Sequence, residues 1–387
     1  MKKKSTGGSK PKKKPAPSRG RRKTTYEEEP SREDEKGPTI GTLATEDANQ
    51  DDGTAVEAKK NKVELALEKF AAVTVQKKME GLKAEFASLA NFVPADAAAT
   101  TFSQHKDKNR YNNILCYDHS RVVLKYHVPP ETDYVHANWI SDTKNICLGD
   151  CKYICAQAPN DASINDFWRM IWQEKVKQII MLCKTVENGK PKCAQYWPLT
   201  VGDTKQYGTV SVTNLKIATP EKEHVFESSV LQVSVGTETY QIIQHRWINW
   251  PDFGVPDSGM GMLRLLRIVR DSKKVLIHCS AGVGRTGTVM AVEVCLRNLL
   301  EGKDVSPIEV LKDLRSQRAG SIQTENQYLF VHKTIFEYMH VKKVAKNEIT
   351  EFNAAYQEVL KAPPSPAPAS TPPPAASPKP ATPPPTT

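Results

Sequence analysis

Residues 275–287 constrain this chain more than any other stretch. They read VLIHCSAGVGRTG, an apolar run that ends in a glycine-rich loop. Residues 275–279 have the continuous apolar character of a buried strand, and TGTVMAVEVCLRNLL, directly after the loop, reads as a helix. Two chemistries fit the loop. Gly282, Gly284 and Gly287 have the G-x-G-x-x-G spacing of a dinucleotide-binding turn, whereas Cys279 and Arg285, with five residues between them, suit a phosphate loop carrying its own nucleophile.

The dinucleotide reading requires a second strand ending in an acid that holds a ribose. The helix is followed instead by EGKDVSPIEVLKDL, where Asp304 stands at a suitable distance but no strand carries it. The phosphate-loop reading uses every residue. The strand delivers Cys279 to the base of the loop, and Ser280, Ala281, Gly282, Val283 and Gly284 curl with their N–H groups inward. The helix beginning near Thr286 adds its positive end, and Arg285 adds a planar bidentate fork. Surroundings of this kind lower a thiol from about 8.5 to roughly 3.5–7.5, so that it attacks as a thiolate.

The remaining pattern gives the loop a setting. INDFWRMIWQEK reads as a helix with Phe167, Ile171 and Trp172 on one side. YVHANWI, KYICAQAP, QIIMLCK, YGTVSVTNLKIAT, VLQVSV and TYQIIQHRWINW read as strands. SPIEVLKDLRSQR, with Pro307 in the first turn, and ENQYLFVHKTIFEYMHVKKV read as helices. A first helix around Val63, Ala66, Leu67, Phe70 and Val73 is expected to break near Gly81. The fold class is therefore α/β: a single domain with a twisted mixed sheet flanked by helices, and disordered tails.

Residues 2–23 carry eleven Lys or Arg and no acid, residues 26–57 eleven acids against two bases, and residues 363–385 twelve of the 27 prolines. We expect disorder over 1–57, a folded domain over 58–350 with its core at about 80–345, and a Pro-rich disordered tail over 361–387. The part between the tails keeps a milder charge of about +6. The basic run suits nuclear import or an anionic partner, nucleic acid or membrane surface; the Pro-rich tail suits an SH3 or WW module. No run is apolar enough for a membrane span, no signal peptide is visible, and the cysteines fit a reducing compartment, so an intracellular, cytoplasmic protein is expected. Cys147, Cys151 and Cys155 lie four apart, but on loop and strand that spacing does not converge. No metal or cofactor is expected.

HCSAGVGRTG resembles the signature loop of the tyrosine-specific, cysteine-dependent protein phosphatases. WPDFGVP, KNRY, KCAQYWP, DFWRMIW and QTENQYLF are similar to further motifs of that family, in its order. QHRWINWPDFGVP also resembles non-receptor versions expanded in nematodes. The resemblance implies that Cys279 is the nucleophile, Arg285 the phosphate clamp, Asp252 the acid and then base on a loop hinged by Trp250 and Pro251, and Gln323 the residue that places water, with Gln327 assisting. It implies that Glu187 orients Arg285, Lys192 contacts the acid loop, His278 tunes the thiolate, and Thr286 offers its hydroxyl to the sulfur. Tyr111 becomes the wall against the substrate ring, with Phe253 and Ile322 or Gln323 beside it. Where the family often has an acid that orients the peptide, this chain has Asn113; where it has Q-G-P, this chain has Ala158. A phosphotyrosine-binding scaffold on the same fold is the alternative, and a damaged Cys, Arg or Asp would be its signature.

Overall fold

The structure is a computed structural model that describes Gly53–Lys361, with side chains from residue 61 onward. The expectations for the two tails lie outside the described residues except at their inner ends, where residues 53–57 belong to the first helix and Lys361 to the last; that last helix also carries the fold past residue 350, with Phe352 and Tyr356 buried. The helices are α1 (Gly53–Ser88), α2 (Thr100–Gln104), α3 (Ile164–Glu174), α4 (Met260–Val269), α5 (Gly284–Leu300), α6 (Pro307–Gln317), α7 (Glu325–Lys342) and α8 (Lys346–Lys361). The strands are β1 (Arg121–Val123), β2 (Tyr134–Ile140), β3 (Lys152–Gln157), β4 (Gln178–Met181), β5 (Val186–Glu187), β6 (Lys190–Pro191), β7 (Thr204–Tyr207), β8 (Val210–Ile217), β9 (Phe226–Val235), β10 (Glu238–Trp247) and β11 (Lys274–Cys279).

Nine strands form one mixed sheet in the order β1-β2-β3-β11-β4-β10-β9-β8-β7, and β5 pairs with β6 in a separate hairpin. The centre, β3-β11-β4-β10, is parallel and both flanks are antiparallel. β11 therefore has a parallel neighbour on each side. Val275, Leu276, Ile277, His278 and Cys279 are all buried, which is why the run is apolar throughout rather than alternating. Cys279 pairs with Gln157 at the carboxyl end of β3, so the loop that follows leaves the sheet at its centre.

Several elements differ from the sequence reading, each for a local reason. The stretch expected as one strand over YGTVSVTNLKIAT turns at Gly208, which has φ +59°, so Tyr207 ends β7 and the strand proper, β8, starts at Val210. α3 is buried from Asp166 to Trp172, not on one side, because Asp166 and Arg169 pair with each other at 2.6 Å and Asp166 takes Lys108 at 2.7 Å. α1 breaks at Lys78 (φ 56°, ψ 176°) while Gly81 stays helical. The helix runs along α7, Phe70 meeting His332 and Phe336 and Phe86 stacking on Tyr328. α2, α4 and α8 add three helices to the expected set.

Four buried histidines give the fold a pH signature. Burial lowers His136 to about 3, with Arg318 adding to the effect, and His278 also to about 3; it lowers His245 and His332 to about 4. The unfolded chain takes up these protons near 6.5, so between about 6.5 and 4 it binds more protons than the folded chain. The stability they confer is complete above 6.5 and is lost as pH falls toward the folded values. The urea midpoint is expected to drop clearly from pH 7.5 to pH 5.5; an unchanged midpoint would contradict neutral burial.

Candidate active site

Cys279 ends β11, and the chain from Ser280 to Val283 curls before α5 starts at Gly284. Gly282 is left-handed at φ +71°, and a Cβ there would lie 2.0 Å from the Ala156 carbonyl oxygen of β3. Only glycine allows that approach. The backbone N–H of Gly282 donates to Cys279 Sγ at 3.2 Å. Arg318, fully buried, braces the loop from behind: Nε donates to Gly282 O at 3.0 Å and Nη2 to Ala281 O at 3.0 Å. Its Nη1 is held by Asn138 Oδ1 at 2.7 Å and His136 Nδ1 at 3.0 Å. With two loop carbonyls tied back in this way, the adjoining amides face the other side.

Arg285 is 1% exposed, and its fork is committed. Nη1 donates to Glu187 Oε1 at 2.7 Å and Nη2 to Glu187 Oε2 at 3.0 Å, the bidentate geometry that fixes a guanidinium plane. Burial alone would lower its pKa, but the hydrogen bond it donates to Glu187 and the Coulomb attraction of Cys279 outweigh that and raise it. Nη1 also reaches Trp250 O at 3.1 Å, and Nη2 reaches Asp252 Oδ1 at 3.1 Å. The second oxygen of Asp252 accepts from Lys192 Nζ at 2.6 Å. Lys192 is raised in net: burial opposes the charge, and the carboxylate of Asp252 restores it.

A single hairpin positions both Glu187 and Lys192. Asn188 (φ 51°) and Gly189 (φ 71°) form its two-residue turn, which favours Asn-Gly for that reason. Asp252 comes from the opposite side, on a turn closed by Gly254 N to Pro251 O at 3.2 Å. Trp250 anchors that turn. It is 4% exposed, packs on Trp247 and Phe330, and its ring N–H clasps Gly254 O at 3.0 Å.

Tyr111 reaches the loop, its hydroxyl 2.8 Å from Ser280 Oγ, which in turn donates to Lys192 O at 3.0 Å. The residues before it are staples: Lys108 pairs with Asp166, Asn109 bonds Phe102 O and Tyr134, and Arg110 bonds Gln157 and Pro159 O. Asn113 is exposed on the turn after Tyr111. Ala158 is buried, and its N–H donates to Ser280 O at 3.1 Å, so this departure lies against the loop. A Cβ on Gly284 would meet Gln323 Oε1 at 2.5 Å and Gln327 Nε2 at 3.2 Å, which puts both amides against the loop. Gln327 is buried and its Oε1 accepts from Gln323 N at 2.9 Å, so it holds Gln323 in place.

Two expectations need correcting. Ile322 is fully buried with its N–H on Val283 O, so it cannot line a cleft; Phe253, 49% exposed, stands at the surface. Thr286 Oγ1 is buried with no hydrogen-bond partner, so its hydroxyl does not reach the sulfur in this state. His278 bonds the Cys279 carbonyl through Nδ1 at 3.3 Å, so it meets the nucleophile at its backbone. Its Nε2 takes the Tyr196 hydroxyl at 2.8 Å, and Gln244 donates to that hydroxyl at 2.7 Å.

Residues 105–337 match the family model described as protein-tyrosine phosphatase. The chain belongs to the protein-tyrosine phosphatase family. It is 34% identical over 253 residues to tyrosine-protein phosphatase non-receptor type 9 of human and of rat, covering 60% of this chain and 42% of each relative. It is 34% identical over 255 residues to mouse receptor-type tyrosine-protein phosphatase F, covering 63% of this chain and 13% of the relative. The chain thus spans less than half the length of these curated relatives. A solved PTPN18 structure, described as the basis of its fingerprint on distinct HER2 tyrosine phosphorylation sites, aligns with a TM-score of 0.62 and 30% identity over 72% of this chain and 99% of that one.

In this member of the family, sequence reading missed Arg318. It resembles any arginine at the end of a surface helix, and only the tertiary fold puts it behind the loop. Among the described residues, the thiols and ring nitrogen close enough to share a metal are Cys183, Cys193 and His278, within 4.8 Å of one another, not the evenly spaced cysteines. Cys183 is held as a neutral thiol by its hydrogen bond with Cys193 and by burial. No described helix is long and apolar enough to cross a membrane.

Proposed function

We propose that this chain hydrolyses phosphotyrosine on proteins through a phosphocysteine intermediate. The observation that carries this reading is the convergence on one glycine loop of Cys279, the Glu187-anchored fork of Arg285, and Asp252 within 3.1 Å of that fork. The inward amides and Arg285 hold the phosphoryl oxygens, and the bound phosphate takes the Nη2 face now occupied by Asp252. Cys279 attacks phosphorus; the P–S bond forms as the P–O bond to the tyrosine breaks, and Asp252 gives the phenolic oxygen its proton. Gln323 then orients a water whose oxygen attacks phosphorus; the new P–O bond forms as the P–S bond breaks, Asp252 takes the water's proton, and phosphate leaves with the thiolate regenerated.

Tyr111 beside Ser280 supports a wall of aromatic depth, which admits an aryl phosphate and keeps a short phosphoserine from the sulfur. Asn113 leaves an acceptor without charge beside the entering peptide. The reading needs no metal and suits an intracellular setting. Purified protein is expected to release phosphate from phosphotyrosine peptides in EDTA at least about 100-fold faster than from phosphothreonine peptides of the same sequence, a difference of about 2.7 kcal/mol. Equal rates would refute the cleft.

A further inference from the structure

The acid loop and the helix start that carries Gln323 are joined by one side chain. Thr324 is the N-cap of α7, and its Oγ1 accepts from Gln327 N at 3.2 Å. The same hydroxyl donates to Phe253 O at 3.2 Å, across 71 positions of sequence. Phe253 and Asp252 are the two inner residues of the turn closed by Pro251 O and Gly254 N. Phe253 has φ 60°, a backbone conformation that side-chain-bearing residues rarely adopt, and about half of it is exposed. Packing of its ring alone therefore does not fix this turn. Trp250 fixes one end, and the Thr324 hydroxyl fixes the carbonyl directly after Asp252.

We infer that Thr324 is a positioning residue for the reaction: its hydroxyl pins the Phe253 carbonyl, and so keeps the Asp252 carboxyl in register with the helix start that carries Gln323. The inference rests on the function proposed above. The cap and the tether use opposite capacities of one hydroxyl, accepting from Gln327 and donating to Phe253, so substitutions can separate them. Serine keeps both. Valine removes both. Aspartate keeps the cap, as a good acceptor at a helix N-terminus, but as a carboxylate has no proton to donate to a carbonyl.

The test compares kcat/KM for phenyl phosphate, whose leaving group needs protonation, with that for 4-nitrophenyl phosphate, whose leaving group needs it far less. Thr324→Val and Thr324→Asp are each expected to lower kcat/KM for phenyl phosphate about 3- to 10-fold more than for 4-nitrophenyl phosphate, the loss of one hydrogen bond. Thr324→Ser should restore the wild-type ratio, and Thr324→Asp should melt no lower than wild type. Were both esters slowed equally, or the ratio left at wild type in Thr324→Asp, Thr324 would be only a helix cap and the inference would fail. Should wild type turn over neither ester, the proposed function itself would fail.

Discussion

Cys279→Ser is expected to lower kcat toward 4-nitrophenyl phosphate by on the order of 10⁴-fold or more, leaving the fold intact. The size follows from what surrounds the sulfur. A serine hydroxyl stays protonated unless a base takes its proton, and the adjacent histidine is committed elsewhere: His278 spends Nδ1 on the Cys279 carbonyl and Nε2 on Tyr196. That ring is also held neutral by burial, its value lowered to about 3, so it adds no positive charge beside the nucleophile. The Gly282 amide that now bonds the sulfur would meet a neutral oxygen instead. A residual rate within about tenfold of wild type, with an unchanged melting temperature, would remove Cys279 from the nucleophilic role.

Asp252→Ala is expected to slow turnover of phosphotyrosine peptides by about 10²- to 10⁴-fold, the usual worth of a positioned acid and base, while binding persists. Binding should persist because the fork of Arg285 does not depend on Asp252. Glu187 holds it in two bonds, at 2.7 and 3.0 Å, and Trp250 O adds a third at 3.1 Å. Removing the carboxylate frees Arg285 Nη2 and Lys192 Nζ, both cationic, so affinity for the phosphorylated peptide should hold or rise. Kinetics paired with calorimetric binding of the same peptide checks this. A parallel loss of affinity and rate would mean that Asp252 shapes the site rather than moving protons.

What the sequence disclosed, and what it hid, divides by range. The phosphate loop was legible because its demands are local: a strand, glycines where backbone must approach, and an arginine at fixed spacing. The turn after Trp250 was legible for the same reason, since proline and glycine at its ends mark it. Arg318 and Thr324 carry no such mark. Their partners lie 36 and 71 positions away, and only the packing of α6 and α7 against the loop brings them together. Glu187 and Lys192 were assigned by resemblance, and the fold supplies the reason they act together: the Asn188–Gly189 hairpin carries both. The hydroxyl of Thr286 shows the opposite error. The resemblance put it beside the sulfur, but in the fold the hydroxyl is buried and unpartnered. α4 went unread because Gly259 and Gly261 interrupt its start; Gly261 is there because a Cβ would strike Val225 at 2.7 Å, a contact no local pattern reveals.

The central claim is a covalent bond between Cys279 and phosphorus. Rapid acid quench of enzyme mixed with excess phosphotyrosine peptide, followed by peptide mapping, reads it directly. The phosphoryl group should be found on the peptide containing Cys279, and should accumulate further when Gln323→Ala slows hydrolysis. Steady turnover with no phosphoryl group on that peptide at any quench time would show that water attacks the ester directly, and the mechanism built on this loop would be wrong.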